Sequence, residues 1–187
     1  DSNSTSIRPM KNTELSAILS DLGRPRVLIV GDLILDRYIS GNVNRISPEA
    51  PIAVLAANHK DMRLGGAGNV CANLRAMEAG VEVLSVVGED KHGRRLIQML
   101  EEIGVGTGGI LREENRMTTE KTRLVSGVNQ MLRVDWEETR ALEDSSLEEL
   151  LRQLPSSIDG ADAVILSDYG KGLLCKRVIE AVIAAAK

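Results

Sequence analysis

At 187 residues and 43% hydrophobic content the chain can bury an ordinary core as one domain, which excludes a disordered segment. A net charge of −4, one Trp, two Tyr and no Phe argue against a nucleic-acid partner, because phosphate backbones need a positive field and single strands need aromatic platforms. Cys71 and Cys175 form no Cys-x-x-Cys pair, and neither a secretory core nor a run of about 18 apolar residues is present, so the expected setting is a reducing cytoplasm without a membrane partner.

In chain order, Asn12 or Thr13 caps a predicted helix that carries Leu15, Ile18, Leu19 and Leu22 at helical spacing and stops at Gly23 and Pro25. Arg26 to Gly31 is a continuous apolar run, the pattern of a strand buried on both faces of a parallel sheet. Tyr38 to Ala57 breaks into short β-like pieces at Gly41, Pro48 and Pro51 and is predicted to be a small antiparallel lid. Gly65 to Gly68 opens a helix to about Ala79, striped by Val70, Leu74 and Met77. A second apolar strand covers Val81 to Gly88, a turn covers Glu89 to Gly93, and a helix follows from Arg94 to about Ile103. Lys121–Ser126 and Met131–Trp136 alternate around Gly127-Val128-Asn129, a hairpin signal. Ser145 or Ser146, three residues before Glu148 and Glu149, predicts a capping box for a helix ending near Leu154. Asp162 to Asp168 is a third buried strand, and a last helix runs from about Leu173 to Lys187. The alternation predicts an α/β fold, a doubly wound and mostly parallel sheet with ligands at the carboxyl ends of its strands.

Polar groups that directly follow apolar runs are therefore the candidates. Asp32 and Asp36 lie just beyond the first strand, where a carboxylate can accept hydrogen bonds from vicinal sugar hydroxyls. Equally, Asp32 can cap a turn and Asp36 can pair with Arg37 or Arg45 at the surface. Gly65, Gly66 and Asn69 stand at a helix start, where close backbone approach and free amides favour anionic or hydroxyl-rich groups. No Gly-Lys-Ser/Thr follows, so this is not a P-loop. A dinucleotide-binding turn is the rival, since Gly66, Gly68 and Cys71 imitate its spacing and Glu89 or Asp90 lies about twenty residues on. It is rejected because His59 to Arg63, read as a polar link, separates these glycines from any buried strand. In Ser-Asp-Tyr-Gly-Lys-Gly after the third strand, Lys171 can swing toward a phosphate and Asp168 can orient it or accept a sugar hydroxyl, or the segment is a plain turn with a solvated lysine. Lys121, Arg123 and Arg133 put cations on the hairpin, for a phosphorylated substrate or as a solvated sheet face. His59 and His92, without a carboxylate partner at ligand spacing, read as surface residues.

GDLILDRY at 31–38, RISPEAPIAVL at 45–55, GGAGNVCANL at 65–74 and LSDYGKGLL at 166–174 together resemble the heptose 7-phosphate kinases, a ribokinase-like (PfkB) family serving bacterial ADP-heptose and lipopolysaccharide core synthesis. The resemblance runs from about Arg26 to the last residue. Residues 1–25 read from their own pattern as an N-terminal segment and helix, and the resemblance implies 26–187 as the front of a ribokinase-like kinase domain with a lid at about 38–57. It implies phosphoryl transfer from ATP with magnesium to the anomeric hydroxyl of a phosphorylated heptose. Asp36 would bind sugar hydroxyls, Gly65, Gly66 and Asn69 would line the pocket, and Lys171, with Arg45 or Arg123, would face the substrate phosphate. A homodimer through the lid strands is implied as well. The family's Gly-Ala-Gly-Asp segment, which supplies the catalytic base, is not among these 187 residues, and Gly66-Ala67-Gly68-Asn69 cannot replace it because an amide accepts no proton as a carboxylate does. The resemblance therefore implies a base beyond Lys187 and no catalytic residue before it. The expectation is a fragment that holds the sugar side, lacks the nucleotide side, and turns nothing over by itself. The alternatives are a kinase for another sugar or sugar phosphate, and a noncatalytic sugar-binding or assembly module.

Overall fold

The computed structural model describes Ser16, Asp21 and residues 23–186. The predicted N-terminal helix thus lies outside the described residues, Ser16 and Asp21 apart, which are helical. Lys187, where the last predicted helix ends and beyond which the base is expected, also lies outside them.

Two four-stranded sheets organise the chain. Strands β1 (Arg26–Gly31), β4 (Gly80–Gly88), β5 (Gly106–Glu113) and β8 (Ala163–Ser167) form an all-parallel sheet in the order β5-β4-β1-β8. Strands β2 (Leu33–Ile46), β3 (Ala53–Gly66), β6 (Glu120–Ser126) and β7 (Asn129–Trp136) form the lid in the order β3-β2-β6-β7, with β2 and β6 parallel and the outer pairs antiparallel.

The apolar run of β1 exists because that strand is central and covered on both faces. Val27 and Ile29 point into one core with α1 (Ala67–Ala76) and α2 (Lys91–Glu102), whose Cys71, Leu96, Ile97 and Leu100 fill it. Leu28 and Val30 point the other way, against Leu150 and Leu154 of α3 (Asp144–Ile158) and Val178 and Val182 of α4 (Lys176–Ala185). The side-chain period of two thus sends alternate residues into separate cores. Cys71 is fully buried, and that burial pushes its thiol up to about 12, so it is inert packing.

Several sequence expectations are corrected. The lid is not a set of short pieces at 38–57 but two strands of 14 residues each, bent by register shifts at Ser40/Gly41 and Val43/Arg45. Asp36 consequently sits within a strand rather than in a loop. His59 to Arg63 belong to β3, so a strand does lead into the glycines; it is an exposed antiparallel lid strand, not the buried parallel one a dinucleotide turn requires. Asp90, not the following turn, starts α2, its Oδ1 accepting from the His92 and Gly93 amides at 2.9 and 2.8 Å. No capping box forms at α3: Glu143 is the capping residue without a side-chain bond, and the Ser146 hydroxyl goes to Glu113 instead. The last helix starts at Lys176 rather than near Leu173 and ends at Ala185, short of Lys187. No helix among the described residues is long and apolar enough to cross a membrane.

Candidate functional site

One residue, Asp32, separates β1 from β2 and so joins the core sheet to the lid. Its amide donates to the Ser167 carbonyl at 3.1 Å and its carbonyl accepts from the Ala67 amide at 2.9 Å. Its buried carboxylate accepts from the Tyr169 and Lys171 amides at 2.9 and 3.1 Å. Asp32 therefore fixes the 168–171 turn against the lid hinge, the turn-capping role.

The chain leaves β1 for β4 on one side and returns to β8 on the other, so the strand order reverses between β1 and β8. Ligands of such sheets bind at the carboxyl ends beside that reversal. A cavity of about 440 Å³ lies there, under the lid, lined by Ile34, Asp36, Tyr38, Arg63, Leu64, Gly65, Gly66, Asn69, Lys121, Arg123, Arg133 and Tyr169. That volume is in the range of small-molecule sites. Strand register explains the set: one cross-strand row joins Arg63, Asp36, Lys121 and Asp135, and the next on the same face joins Asp61, Tyr38, Arg123 and Arg133.

The lining holds four cations and one carboxylate. Arg123 Nη1 donates to Asp36 Oδ1 at 2.5 Å. Burial works against the Arg123 charge, but the Asp36 carboxylate outweighs it, so this guanidinium holds its proton more firmly than a free one. Arg63 and Arg123 both lie over the Tyr38 ring, 4.7 and 5.2 Å from its centre. Arg133 reaches Asp135 at 2.9 Å, Lys121 lies 3.4 Å from Asp135 and 3.6 Å from Glu137, and Arg63 meets Asp61 at 2.8 Å. Although desolvation pushes Asp135 up, Arg133 and Lys121 hold it below the usual carboxylate value. Each cation has a carboxylate partner, so the site is internally neutralised.

Two glycines make the geometry possible. A Cβ on Gly65 would stand 2.5 Å from Asp36 Oδ2, so only glycine lets that carboxylate lie against β3. Gly66 has φ +56° and would press a Cβ into the Asp32 carbonyl as the chain turns into α1.

Of the sequence candidates, Asp36, Gly65, Gly66, Asn69 and Arg123 line this cavity. Asp168, Lys171 and Arg45 do not. The Asp168 carboxylate closes its own turn by accepting from the Gly170 amide at 2.8 Å. Lys171 lines a much smaller buried gap beside Asp32, Arg116 and Thr118, and its Nζ pairs with Glu137 at 2.9 Å. Arg45 is exposed near the far end of β2, nine residues from Asp36 and so about 30 Å along the strand. Tyr38, Arg63 and Tyr169 were not singled out; each stands one or two residues from a candidate, and the period of two between Asp36 and Tyr38 was the available signal. His92 is not a free surface residue: its Nε2 lies 3.1 Å from Glu120 Oε2, which is equally close to Arg37 Nη2, and this pins α2 to the lid strands. Among the described residues no group of three or more His, Cys, Asp or Glu is placed to hold a metal ion.

Comparison with known proteins gives a consistent result. The profile of the pfkB family carbohydrate kinase matches residues 24–187. Among curated relatives, the bifunctional protein HldE of Wolinella succinogenes is 46% identical over 170 residues, 91% of this chain and 36% of its own length. HldE of Mesorhizobium japonicum is 41% identical over 179 residues, 96% of this chain and again 36% of its own. The chain thus spans about a third of the length of the curated relatives it matches. Among solved structures, Arabidopsis thaliana ribokinase complexed with ribose and ATP gives a TM-score of 0.60 at 19% identity, covering 87% of this chain and 51% of that one. A possible 1-phosphofructokinase from Thermotoga maritima gives 0.66 at 19% identity, covering 86% and 50%.

Proposed function

The chain belongs to the pfkB family of carbohydrate kinases, and from that premise we propose that it forms the sugar-binding part of a cytoplasmic heptose 7-phosphate kinase acting in ADP-heptose synthesis. The observation that carries the reading is the composition of one cavity: a carboxylate and an amide, Asp36 and Asn69, beside four cations, Arg63, Lys121, Arg123 and Arg133. Carboxylate and amide suit vicinal hydroxyls, and the guanidinium groups suit a phosphate, which they bind in a planar fork. Gly65 and Gly66 bring the backbone close to the sugar. Arg123, whose carboxylate partner is the cavity's own Asp36, can take a phosphate in its place, which favours a phosphorylated substrate.

In the proposed reaction the anomeric hydroxyl attacks the terminal phosphate of ATP, and the protein contributes chiefly by positioning and by stabilising charge. These residues would hold and orient the acceptor and exclude water beneath the lid. No residue here is assigned as the base, since the sequence up to Lys187 carries no Gly-Ala-Gly-Asp segment, and none to magnesium or to the nucleotide. The 187 residues alone are accordingly expected to bind the sugar phosphate and to turn nothing over.

The outer face of the lid supports a homodimer. Met62, Leu132, Val134 and Trp136 occupy the strand positions facing away from the cavity and are 38, 55, 36 and 54% exposed, an apolar surface that a second lid would cover.

The test is calorimetric titration of the chain with heptose 7-phosphate, fructose 6-phosphate and ribose 5-phosphate, together with an assay containing ATP and magnesium. Saturable binding selective for the heptose phosphate, without product, is expected. Stronger binding of another sugar phosphate would transfer the site to that substrate; binding of none would leave a noncatalytic assembly module.

A further inference from the structure

Asp36 is already engaged by a cation of its own cavity. Arg123 Nη1 occupies Oδ1 at 2.5 Å, and the Oδ2 side of the carboxylate is pressed over Gly65, where a Cβ would come within 2.5 Å. A sugar hydroxyl that approaches Oδ1 must therefore share or displace the guanidinium contact, while Oδ2 keeps its lone pairs. Arg123, in turn, is the cation at the centre of the lid face. It stands between Tyr38 and Arg133 in its cross-strand row and beside Lys121 two residues back. The neighbouring cations are satisfied elsewhere: Lys121 by Asp135 and Glu137, Arg133 by Asp135, and Arg63 by Asp61. Of the four, only Arg123 takes its partner from the residue that would grip the sugar. Its side chain is 20% exposed, as is that of Asp36, so both ends of the pair are within reach of a ligand.

We infer that the Asp36–Arg123 ion pair is a latch opened by the substrate's own phosphate, so that recognition of the charged end of the molecule releases the carboxylate that recognises its hydroxyl end. The inference rests on the reading of this cavity as a sugar-phosphate site. The exchange replaces the Asp36–Arg123 ion pair by one between Arg123 and phosphate and gives Asp36 hydroxyl donors. A phosphate offers Arg123 two oxygens in a forked geometry and carries more negative charge than a carboxylate. Asp36 then exchanges a guanidinium for neutral hydroxyl donors, which fill its lone pairs, while the phosphate takes over the Arg123 charge. An unphosphorylated sugar has nothing to offer Arg123 and competes with it for Oδ1 unaided, a cost that selects against it without any steric barrier. Such discrimination uses the unfavourable state of the wrong ligand as much as contacts to the right one.

The consequence is coupling between two pieces of one substrate, and by linkage the coupling is reciprocal. Calorimetry on the chain would use three probes: heptose 7-phosphate, the same heptose without phosphate, and inorganic phosphate. Saturating inorganic phosphate is expected to tighten binding of the free heptose about tenfold or more, within the usual range of such couplings. In Arg123→Ala, free heptose is expected to bind more tightly than to the wild type, the effect of inorganic phosphate should vanish, and heptose 7-phosphate should bind more weakly. Arg123→Lys, which keeps a cation against Asp36, should retain part of the coupling. Independent binding of heptose and phosphate to the wild type would overturn the latch, as would an Arg123→Ala variant whose affinity for free heptose is unchanged or lower. Should Arg123→Ala fail to fold, the wild-type coupling alone decides. Binding of none of the three probes would be a different failure, that of the sugar-phosphate reading itself.

Discussion

Gly65 and Gly66 are adjacent, yet the structure asks different things of them. Gly66 adopts φ +56° with the Asp32 carbonyl standing where a Cβ would go, so Gly66→Ala meets backbone that cannot move aside. Its stability is expected to fall by about 1–3 kcal/mol in urea unfolding, the usual scale for a residue forced into such a conformation. At Gly65 the obstacle is the end of a side chain, the Asp36 carboxylate. Gly65→Ala should therefore unfold close to the wild type while binding heptose 7-phosphate more weakly. Equal losses in both measurements would contradict the division. Asp36, Gly65, Gly66 and Asn69, picked out by residue type, are brought together around one cavity. The failure with Lys171 is equally physical: its neighbours in sequence promised a phosphate, but Glu137, from a distant part of the chain, holds its ammonium.

Between elements, buried ion pairs do the joining. Glu113 at the end of β5 takes Arg116 Nε at 2.7 Å and the Glu143 amide at 2.9 Å. Arg116 then donates to the carbonyls of Lys171, Arg140 and Ala141, tying these loops together beneath the lid. Arg116→Met removes the nearer of two cations from Glu113, leaving Arg140 at 3.3 Å, and strips three loop carbonyls of their donor, so it is expected to destabilise by about 1–3 kcal/mol. Desolvation pushes the Glu113 carboxyl up, but Arg116 and the Glu143 amide outweigh it and hold the group below its ordinary value. The unfolded chain then binds the proton more readily, so this contribution is present at neutral pH and is lost as pH falls below the ordinary carboxylate range. Thermal unfolding should show the wild type losing stability on acidification and Arg116→Met losing less; parallel curves would refute the assignment. None of this was legible locally. β5 went unread because GTGGILRE has three glycines and no apolar run, and β3 because its middle is exposed and polar. The central strands β1 and β4 were legible for the opposite reason: burial on both faces writes itself as unbroken Val, Ile and Leu.

At the scale of the molecule, the lid presents two faces of opposite character. Cations and Asp36 face the cavity, while Leu132, Val134 and Trp136 face outward. If the outward face joins two lids, Leu132→Asp with Trp136→Asp should yield a monomer in sedimentation velocity with its sugar-phosphate affinity retained, and an unchanged dimer would place the interface elsewhere. The parallel sheet also offers concavities at its opposite end, one of them lined by Arg26, Gly80, Gly104, Gly106 and Ser157. Substrate is assigned to the lid end alone. Amide chemical-shift mapping of this 20.2 kDa chain during titration with heptose 7-phosphate separates the two ends directly. Saturable shifts at Asp36, Gly65, Gly66, Asn69, Arg123 and Tyr169 are predicted; shifts gathered at Gly80, Gly104 and Gly106, or none at all, would contradict the central claim.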